Sequence, residues 1–185
     1  TYKDGRELNP DNSGVRSSLK EVILIPNLEQ SIKRINPWIS DENLWKIIRD
    51  TTLNQTSTLM EANQWLWERI TQYFSVEQDL GKGRRGQTVK LIDFENIQNN
   101  EFLCVNQFKI QGAIQNIIPD IILFVNGLPL AAIECKSPFI TKNGSVNFSF
   151  TKLKAPAVPI FFFSLIYSIF TPNFSPLPKY FLIIC

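Results

Sequence analysis

The dipeptide Asn126-Gly127, set between two apolar runs, constrains the fold of this chain more than any other feature. Asn-Gly favours a two-residue β-turn, because both of its residues readily adopt positive φ. The pattern predicts a β-hairpin with strands over residues 120–125 and 128–136. Strands that are apolar almost without interruption are usually covered on both faces. We therefore expect this hairpin to lie inside the domain.

The sequence before the hairpin predicts helices. Ser40 is followed by two acids, a pattern typical of a helix start, and that helix is expected to reach about residue 50. Thr58 and Glu61 match a capping box, which predicts a second helix ending near Phe74. Apolar spacing over 17–35 is also helical, although Pro26 interrupts it. The residues just before this proline form either a short strand or the end of a helix.

Further strands are predicted at 88–92 and 102–110, where β-branched and aromatic residues are interleaved. Helices followed by strands and hairpin turns indicate a mixed α/β domain around one mainly antiparallel sheet. Residues 1–16 are polar and predict a loop or arm. Residues 139–185 are rich in Phe, Ser and Pro, and their apolar run at 160–170 is too short to span a bilayer.

Composition excludes several classes of function. The chain has 185 residues, 44% of them hydrophobic, which suits one domain with a real core. It contains no histidine, so histidine-based metal sites and Ser-His-Asp or Cys-His nucleophiles are excluded. Three cysteines, Cys104, Cys135 and Cys185, lack CxxC spacing and are expected to be reduced thiols. The polar start has no signal-peptide pattern, and we expect a cytoplasmic protein.

The hairpin also carries the candidate catalytic residues. It would bring Asp120, at the start of one strand, near Glu134 and Lys136 at the end of its partner, with the last two on one face. Two carboxylates and an ammonium group at the ends of apolar strands suit a bound Mg²⁺, to which the Cys135 carbonyl could be a further ligand. The ion would polarise a phosphate and activate water, and Lys136 would offset negative charge.

Less specific readings of these residues remain open. Asp120 could lie in a simple turn after Pro119, with Glu134 and Lys136 forming an ion pair at the rim of the domain. Glu61 could be a further acidic ligand, although its place in the capping box favours a structural role.

A basic segment at residues 81–86 is the candidate nucleic-acid contact. It contains Lys82, Arg84 and Arg85 between glycines, without the spacing of a phosphate-binding loop. A solvated turn and a contact to the DNA backbone are both compatible with it. The net charge of +2 neither requires nor excludes a nucleic-acid partner.

The chain resembles the N-terminal domain of the type I restriction enzyme R (restriction and motor) subunit over roughly residues 1–138. The motifs that carry the resemblance are Leu91-Ile92-Asp93-Phe94, Val105-Asn106-Gln107-Phe108, Pro119-Asp120-Ile121, Phe124-Val125-Asn126-Gly127-Leu128-Pro129-Leu130 and Ile133-Glu134-Cys135-Lys136, with looser similarity around Arg34-Ile35-Asn36-Pro37-Trp38.

This resemblance implies a PD-(D/E)xK nuclease core over residues 17–138, with a restriction-endonuclease-like mixed sheet flanked by helices. It implies Mg²⁺-dependent cleavage of duplex DNA by Asp120, Glu134 and Lys136. It also implies methylation and specificity subunits as partners, and no membrane. ATP is expected only for the family's motor domains, whose motifs these residues do not contain.

The sequence departs from the family pattern after about Pro138. The family continues with a Gln-x-x-x-Tyr element, but neither Tyr167 nor Tyr180 has Gln four residues earlier. We hypothesise a disrupted reading frame near residue 138, with residues 139–185 as an atypical tail. The alternative to an active nuclease is therefore a truncated, inactive remnant or an assembly module. Another nuclease with the same core, acting in repair or recombination, is a third possibility that the long motif match argues against.

Overall fold

The computed structural model describes residues 1–53, 59–112, 115–133, 139–140 and 146–147. The helices in chain order are α1 (Pro10–Ser13), α2 (Ile25–Ile35), α3 (Asp41–Thr52) and α4 (Leu59–Thr71), with 3-10 turns at Gly5–Leu8 and Ile97–Asn99. The strands are β1 (Tyr2–Asp4), β2 (Phe74–Asp79), β3 (Arg84–Val89), β4 (Phe102–Asn106), β5 (Ile110–Gln111), β6 (Asn116–Ile117), β7 (Ile121–Val125), β8 (Leu128–Ile133), β9 (Phe139–Ile140) and β10 (Val146–Asn147).

The main sheet has four strands in the order β1-β4-β7-β8. β1 runs parallel to β4, whereas β4, β7 and β8 pair antiparallel. Three two-stranded sheets, β2-β3, β5-β6 and β9-β10, accompany it. The sheet is thus mixed, with helices concentrated in the first half of the chain, and the predicted α/β class is confirmed.

Two hydrophobic clusters hold the domain together. In the first cluster, apolar side chains of α2, α3 and α4 pack with Leu123, Val125 and the start of β8. In the second cluster, Leu8, Leu24 and Phe108 pack with Ile122 and Phe124. Neighbouring residues of β7 therefore belong to different clusters, as expected when successive side chains of a strand point to opposite faces. β7 is covered on both faces, as its sequence predicted.

The capping residues explain where two of the helices begin. The Ser40 hydroxyl accepts a hydrogen bond from the Asn43 backbone N–H (3.3 Å), so the predicted start of α3 is confirmed. Pro26 lies in the first turn of α2, where its missing N–H costs nothing. The proline therefore opens a helix instead of interrupting one. Ile25 is the first residue of that helix, and residues 22–24 are neither strand nor helix. Thr58, the other predicted cap, lies outside the described residues.

Several boundaries differ from the sequence prediction because of tertiary contacts. The expected loop at residues 1–16 is wrong for Tyr2–Asp4, which add to the sheet as an edge strand beside β4. It is also wrong for the 3-10 turn Gly5–Leu8 and for α1. The helix expected to reach Phe74 ends at Thr71. Tyr73 then takes φ +59°, and the chain turns into β2.

Two predicted strands are also bounded differently. The strand predicted at 102–110 is interrupted after Asn106, because Gln107 adopts φ +51°. The strand predicted at 88–92 begins earlier, at Arg84, and ends at Val89. Consequently the expected basic loop at 81–86 is shorter, and Arg84 and Arg85 belong to a strand.

Candidate active site

The β7-β8 hairpin is the frame on which the candidate site is built. Ile121 pairs with Ile133, and this register continues to Leu123 opposite Ala131. Phe124 then pairs with Pro129, so Leu130 is one extra residue on β8, a β-bulge. A one-residue shift moves every later side chain of a strand to the other face. The bulge therefore decides which residues of β8 share a face with their partners on β7.

The turn of this hairpin is fixed by the buried side chain of Asn126. Asn126 and Gly127 have φ +53° and +79°, as the Asn-Gly prediction required. The Asn126 Oδ1 accepts from the Glu101 N–H (2.8 Å), and its Nδ2 donates to the Leu91 carbonyl (2.8 Å) and to Asn100 Oδ1 (2.9 Å). The hairpin is thereby tied to the segment that precedes β4.

Asp93 organises that segment. The carboxylate accepts hydrogen bonds from the backbone N–H groups of Glu95 (3.1 Å) and Asn96 (3.0 Å) and from Asn99 Nδ2 (2.9 Å). Burial raises the pKa of Asp93, but these hydrogen bonds outweigh it, and the net pKa is lowered. Asp93 thus acts as a structural anion at the end of the hairpin that lies opposite Asp120.

Asp120 immediately precedes β7 and is half-buried. Its carbonyl accepts a hydrogen bond from the Gln107 N–H (3.0 Å), and its Oδ1 accepts from Gln107 Nε2 (3.3 Å). By strand alternation Asp120 lies on the face of Ile122, which packs in the second cluster. The predicted position of Asp120 at the start of a core strand is confirmed.

The other members of the predicted site are not described by the structure. Glu134, Cys135 and Lys136 all lie outside the described residues. Within the described parts of residues 1–133, no group of three or more acidic or cysteine side chains is placed to hold a metal ion. Asp120 supplies a carboxylate, the kind of oxygen donor that Mg²⁺ prefers. Asp120 is therefore a suitable type of ligand for Mg²⁺, and the complete ligand set remains a prediction.

Glu61, two tryptophans of α4 and Cys104 have no described contact with Asp120. Glu61 is exposed on α4. Trp67 packs against the first cluster, and the Arg69 guanidinium lies 4.1 Å from the Trp65 ring centroid. Cys104 is a free thiol on β4, and burial raises its pKa. Cys104 is therefore a poor nucleophile.

The basic segment forms the tip of the β2-β3 hairpin. Asp79 Oδ1 accepts hydrogen bonds from the Gly81 N–H (2.8 Å) and the Gly83 N–H (3.0 Å), which closes the turn from inside. Both glycines have positive φ, +87° and +83°. Lys82 and the two arginines that follow the turn are exposed. The tip is therefore a defined turn that presents cations to solvent.

The two arginines of this hairpin do not share a face. Arg84 pairs with Asp79, whereas Arg85 pairs with Gln78, the next residue along the strand. The base of the hairpin, including Phe74, packs against the first cluster. Asp120 is on the sheet face of the second cluster. The base of the β2-β3 hairpin and Asp120 therefore lie on opposite faces of the main sheet.

Gln107 lies within the Val105-Asn106-Gln107-Phe108 motif, but nothing in the sequence connects it with Asp120. Its side chain is hydrogen-bonded to Asp120, and its positive φ ends β4. Glutamine has no special preference for this conformation, and its partner is distant in sequence. A local signal could not have found it.

The fold and the placement of Asp120 define a restriction-endonuclease-like α/β domain. A family model described as "Type I restriction enzyme R protein N terminus" matches residues 1–164, and the chain belongs to this family. The match continues beyond residue 138, where the resemblance in motifs ends. The domain boundary proposed there and the frame disruption remain predictions.

Two relatives illustrate the similarity. The chain is 33% identical over 162 residues to the putative type I restriction enzyme MjaIXP endonuclease subunit of Methanocaldococcus jannaschii, covering 86% of this chain and 16% of the relative. It is 31% identical over 140 residues to the type I restriction enzyme HindI endonuclease subunit of Haemophilus influenzae, covering 74% and 13%. The chain spans less than one-fifth of either relative. Among the described residues, no helix combines the length and apolarity needed to cross a membrane.

Proposed function

We propose that this domain is the DNA endonuclease domain of a type I restriction-modification enzyme, hydrolysing phosphodiester bonds of duplex DNA with Mg²⁺. Membership of the R protein family and the endonuclease-subunit names of its relatives support this. The observation that carries the chemistry is the register of β7 and β8, with Asp120 at its open end.

The register supports a shared site for the three proposed catalytic residues. Ile121 pairs with Ile133, and one further step of the same ladder would align position 120 with position 134. Ala132 packs with the second cluster, as does Ile122. By alternation, positions 134 and 136 would follow Ala132 on the face of Asp120. This pairing depends on the extra residue at Leu130. Without the bulge, Asp120 would lie opposite position 133 and not opposite position 134.

Each residue has a distinct proposed role. The carboxylates of Asp120 and Glu134 and the carbonyl of Cys135 would hold Mg²⁺, which supplies Lewis-acid stabilisation of the phosphate and a more acidic bound water. The ammonium of Lys136 orients the attacking water. It also offsets the negative charge that develops on the phosphate oxygens.

The proposal is tested by cleavage of supercoiled plasmid in Mg²⁺. Asp120→Asn and Lys136→Ala are each expected to lower the cleavage rate about 100-fold or more. Asp11→Asn and Lys33→Ala, at surface positions, serve as matched controls and should cleave at the unmodified rate. Absence of cleavage, together with absence of Mg²⁺ binding by calorimetry, would identify the chain as an inactive remnant or assembly module.

The β2-β3 tip is the proposed contact to the DNA backbone. Lys82, Arg84 and Arg85 are exposed, and Asp79, which pairs with Arg84 across the hairpin, accepts hydrogen bonds from backbone N–H groups of the turn. Because their hairpin packs on the other side of the sheet from Asp120, these cations are proposed to bind phosphates away from the scissile one. Phosphate contacts of this kind add affinity without sequence specificity.

Salt dependence tests this contact. Replacing all three cations by Ala should reduce the slope of log K against log salt by about 2 to 3, since each phosphate contact contributes about 0.9. Lys33→Ala, which removes one exposed cation on α2, should leave the slope nearly unchanged. An unchanged slope in the triple variant would assign these residues to a solvated turn.

The complete enzyme is proposed to act as a cytoplasmic, multi-subunit complex with methylation and specificity subunits. This follows from the type I restriction family and not from contacts of the described residues. ATP is expected to serve the motor domains of such a subunit. Copurification of the full-length subunit with its proposed partners is the direct test.

A further inference from the structure

Asp120 has neighbours from the ends of β1 and β4, at the end of the main sheet where β7 begins, and these neighbours have no assigned role. The last paired row runs Asp4, Asn106, Ile121 across β1, β4 and β7. The next position on each strand is Gly5, Gln107 and Asp120. These three residues are therefore neighbours in space, although more than a hundred positions separate the first from the others.

Gln107 holds Asp120 by two hydrogen bonds. The backbone bond to the Asp120 carbonyl (3.0 Å) extends the β4-β7 ladder by one residue. The side-chain bond joins Gln107 Nε2 to Asp120 Oδ1 (3.3 Å), so an amide dipole is directed at the carboxylate itself. Such a contact biases the side-chain rotamer and the plane of the carboxyl group.

The backbone of Gln107 is held in an unfavourable conformation. Its φ of +51° lies in the left-handed region, where a glutamine is uncommon. A glycine or an asparagine would make this turn more easily. A turn alone therefore gives no reason for glutamine, whereas contact between its amide and Asp120 does.

Gly5 supports this arrangement from the other side. A Cβ atom on Gly5 would lie 2.5 Å from both the Asn106 carbonyl oxygen and the Gln107 carbonyl oxygen. The absence of a side chain lets β1 and the 3-10 turn approach the Gln107 peptide closely. This contact provides an independent constraint that keeps Gln107 in place.

We propose that Gln107 is a positioning residue that orients the Asp120 carboxylate for binding a divalent metal ion. The inference rests on the proposed function, because it takes Asp120 as a metal ligand. Gln107 acts through Asp120 and has no assigned contact with substrate. Residues that orient a metal ligand commonly change metal affinity tenfold or more when they are replaced.

Mg²⁺ affinity of the full chain, measured by calorimetry, tests the inference. Gln107→Gly relieves the backbone and removes the amide, so it should keep the urea midpoint of the unmodified chain and weaken Mg²⁺ binding about tenfold. Gln107→Asn keeps an amide and tolerates positive φ. Its Mg²⁺ affinity should lie between that of the unmodified chain and that of Gln107→Gly. In an Asp120→Asn background, Gln107→Gly should have no further effect, because the group that it orients is gone.

The outcomes separate the two proposals. If the unmodified chain binds no Mg²⁺, or if Asp120→Asn binds Mg²⁺ as tightly as the unmodified chain, the proposed metal site is refuted. The proposed role of Gln107 is then refuted with it. If Asp120→Asn weakens binding and Gln107→Gly does not, the positioning role alone is overturned. If Gln107→Gly does not fold, the test uses Gln107→Asn. Mg²⁺ binding as tight as that of the unmodified chain, together with lower stability, would then show that Gln107 is a purely structural residue.

Discussion

The hairpin that carries Asp120 should depend on the side chain of Asn126 to a measurable extent. This side chain is fully buried, with 0% exposure, and makes three hydrogen bonds. Each hydrogen bond is worth about 1 kcal/mol net, so their loss should cost about 3 kcal/mol of unfolding free energy. Both Asn126→Gly and Asn126→Ala lose them.

The two substitutions differ in their backbone cost. Alanine at φ +53° adds about 1.5 kcal/mol of strain, whereas glycine adds about 0.7 kcal/mol by enlarging the entropy of the unfolded chain. We therefore expect losses of about 3.7 kcal/mol for Asn126→Gly and about 4.5 kcal/mol for Asn126→Ala. Glycine should be the better tolerated of the two.

Urea unfolding followed by circular dichroism measures these losses. With a slope of about 2 kcal/mol/M, Asn126→Gly should lower the midpoint by roughly 1.9 M. Asn116→Ala, at an exposed asparagine on β6, should change stability by less than about 0.5 kcal/mol. An Asn126→Gly variant as stable as the unmodified chain would refute the contribution assigned to the hydrogen bonds. Equal losses in the two Asn126 variants would refute the backbone term.

Gly5→Ala should destabilise the domain by about 2 kcal/mol, because its Cβ would meet the Asn106 and Gln107 carbonyl oxygens at 2.5 Å; an unchanged thermal midpoint would contradict this. The pKa of Asp93 is lowered by folding, so its stabilising effect is complete above pH about 4 and is lost as the pH falls toward the folded pKa. Acid unfolding should accordingly be shallower in Asp93→Asn, and identical acid titrations would argue against the anchoring role. Cys104 should react slowly with iodoacetamide until the protein is unfolded in urea, as peptide mapping would show; rapid native labelling would contradict its burial.

Elements governed by local chemistry could be predicted from the sequence. Asn126-Gly127 needs only its own backbone preference to form the turn, and Ser40 needs only the N–H groups of the next turn of helix. The placement of Asp120 at the start of β7 follows from the same hairpin. These predictions succeeded because their causes lie within a few residues.

Elements governed by distant contacts could not be predicted in this way. Residues 2–4 are polar and give no strand pattern, and they form β1 because β4 offers its edge. The faces taken by Arg84 and Arg85 depend on the register with β2. Gln107 meets Asp120 through strand pairing, and the motif that contains Gln107 does not reveal this contact.

The pairing of β1 with β4 has a consequence for synthesis of the protein on the ribosome. Tyr2 pairs with Cys104, so the first strand emerges about one hundred residues before its partner. At roughly 5–20 residues per second, that interval lasts about 5–20 seconds. The sheet order β1-β4-β7-β8 is the order of these strands in the chain, so β1 waits only for β4. Residues 2–4 therefore have no strand partner until the helices that precede β4 have been translated.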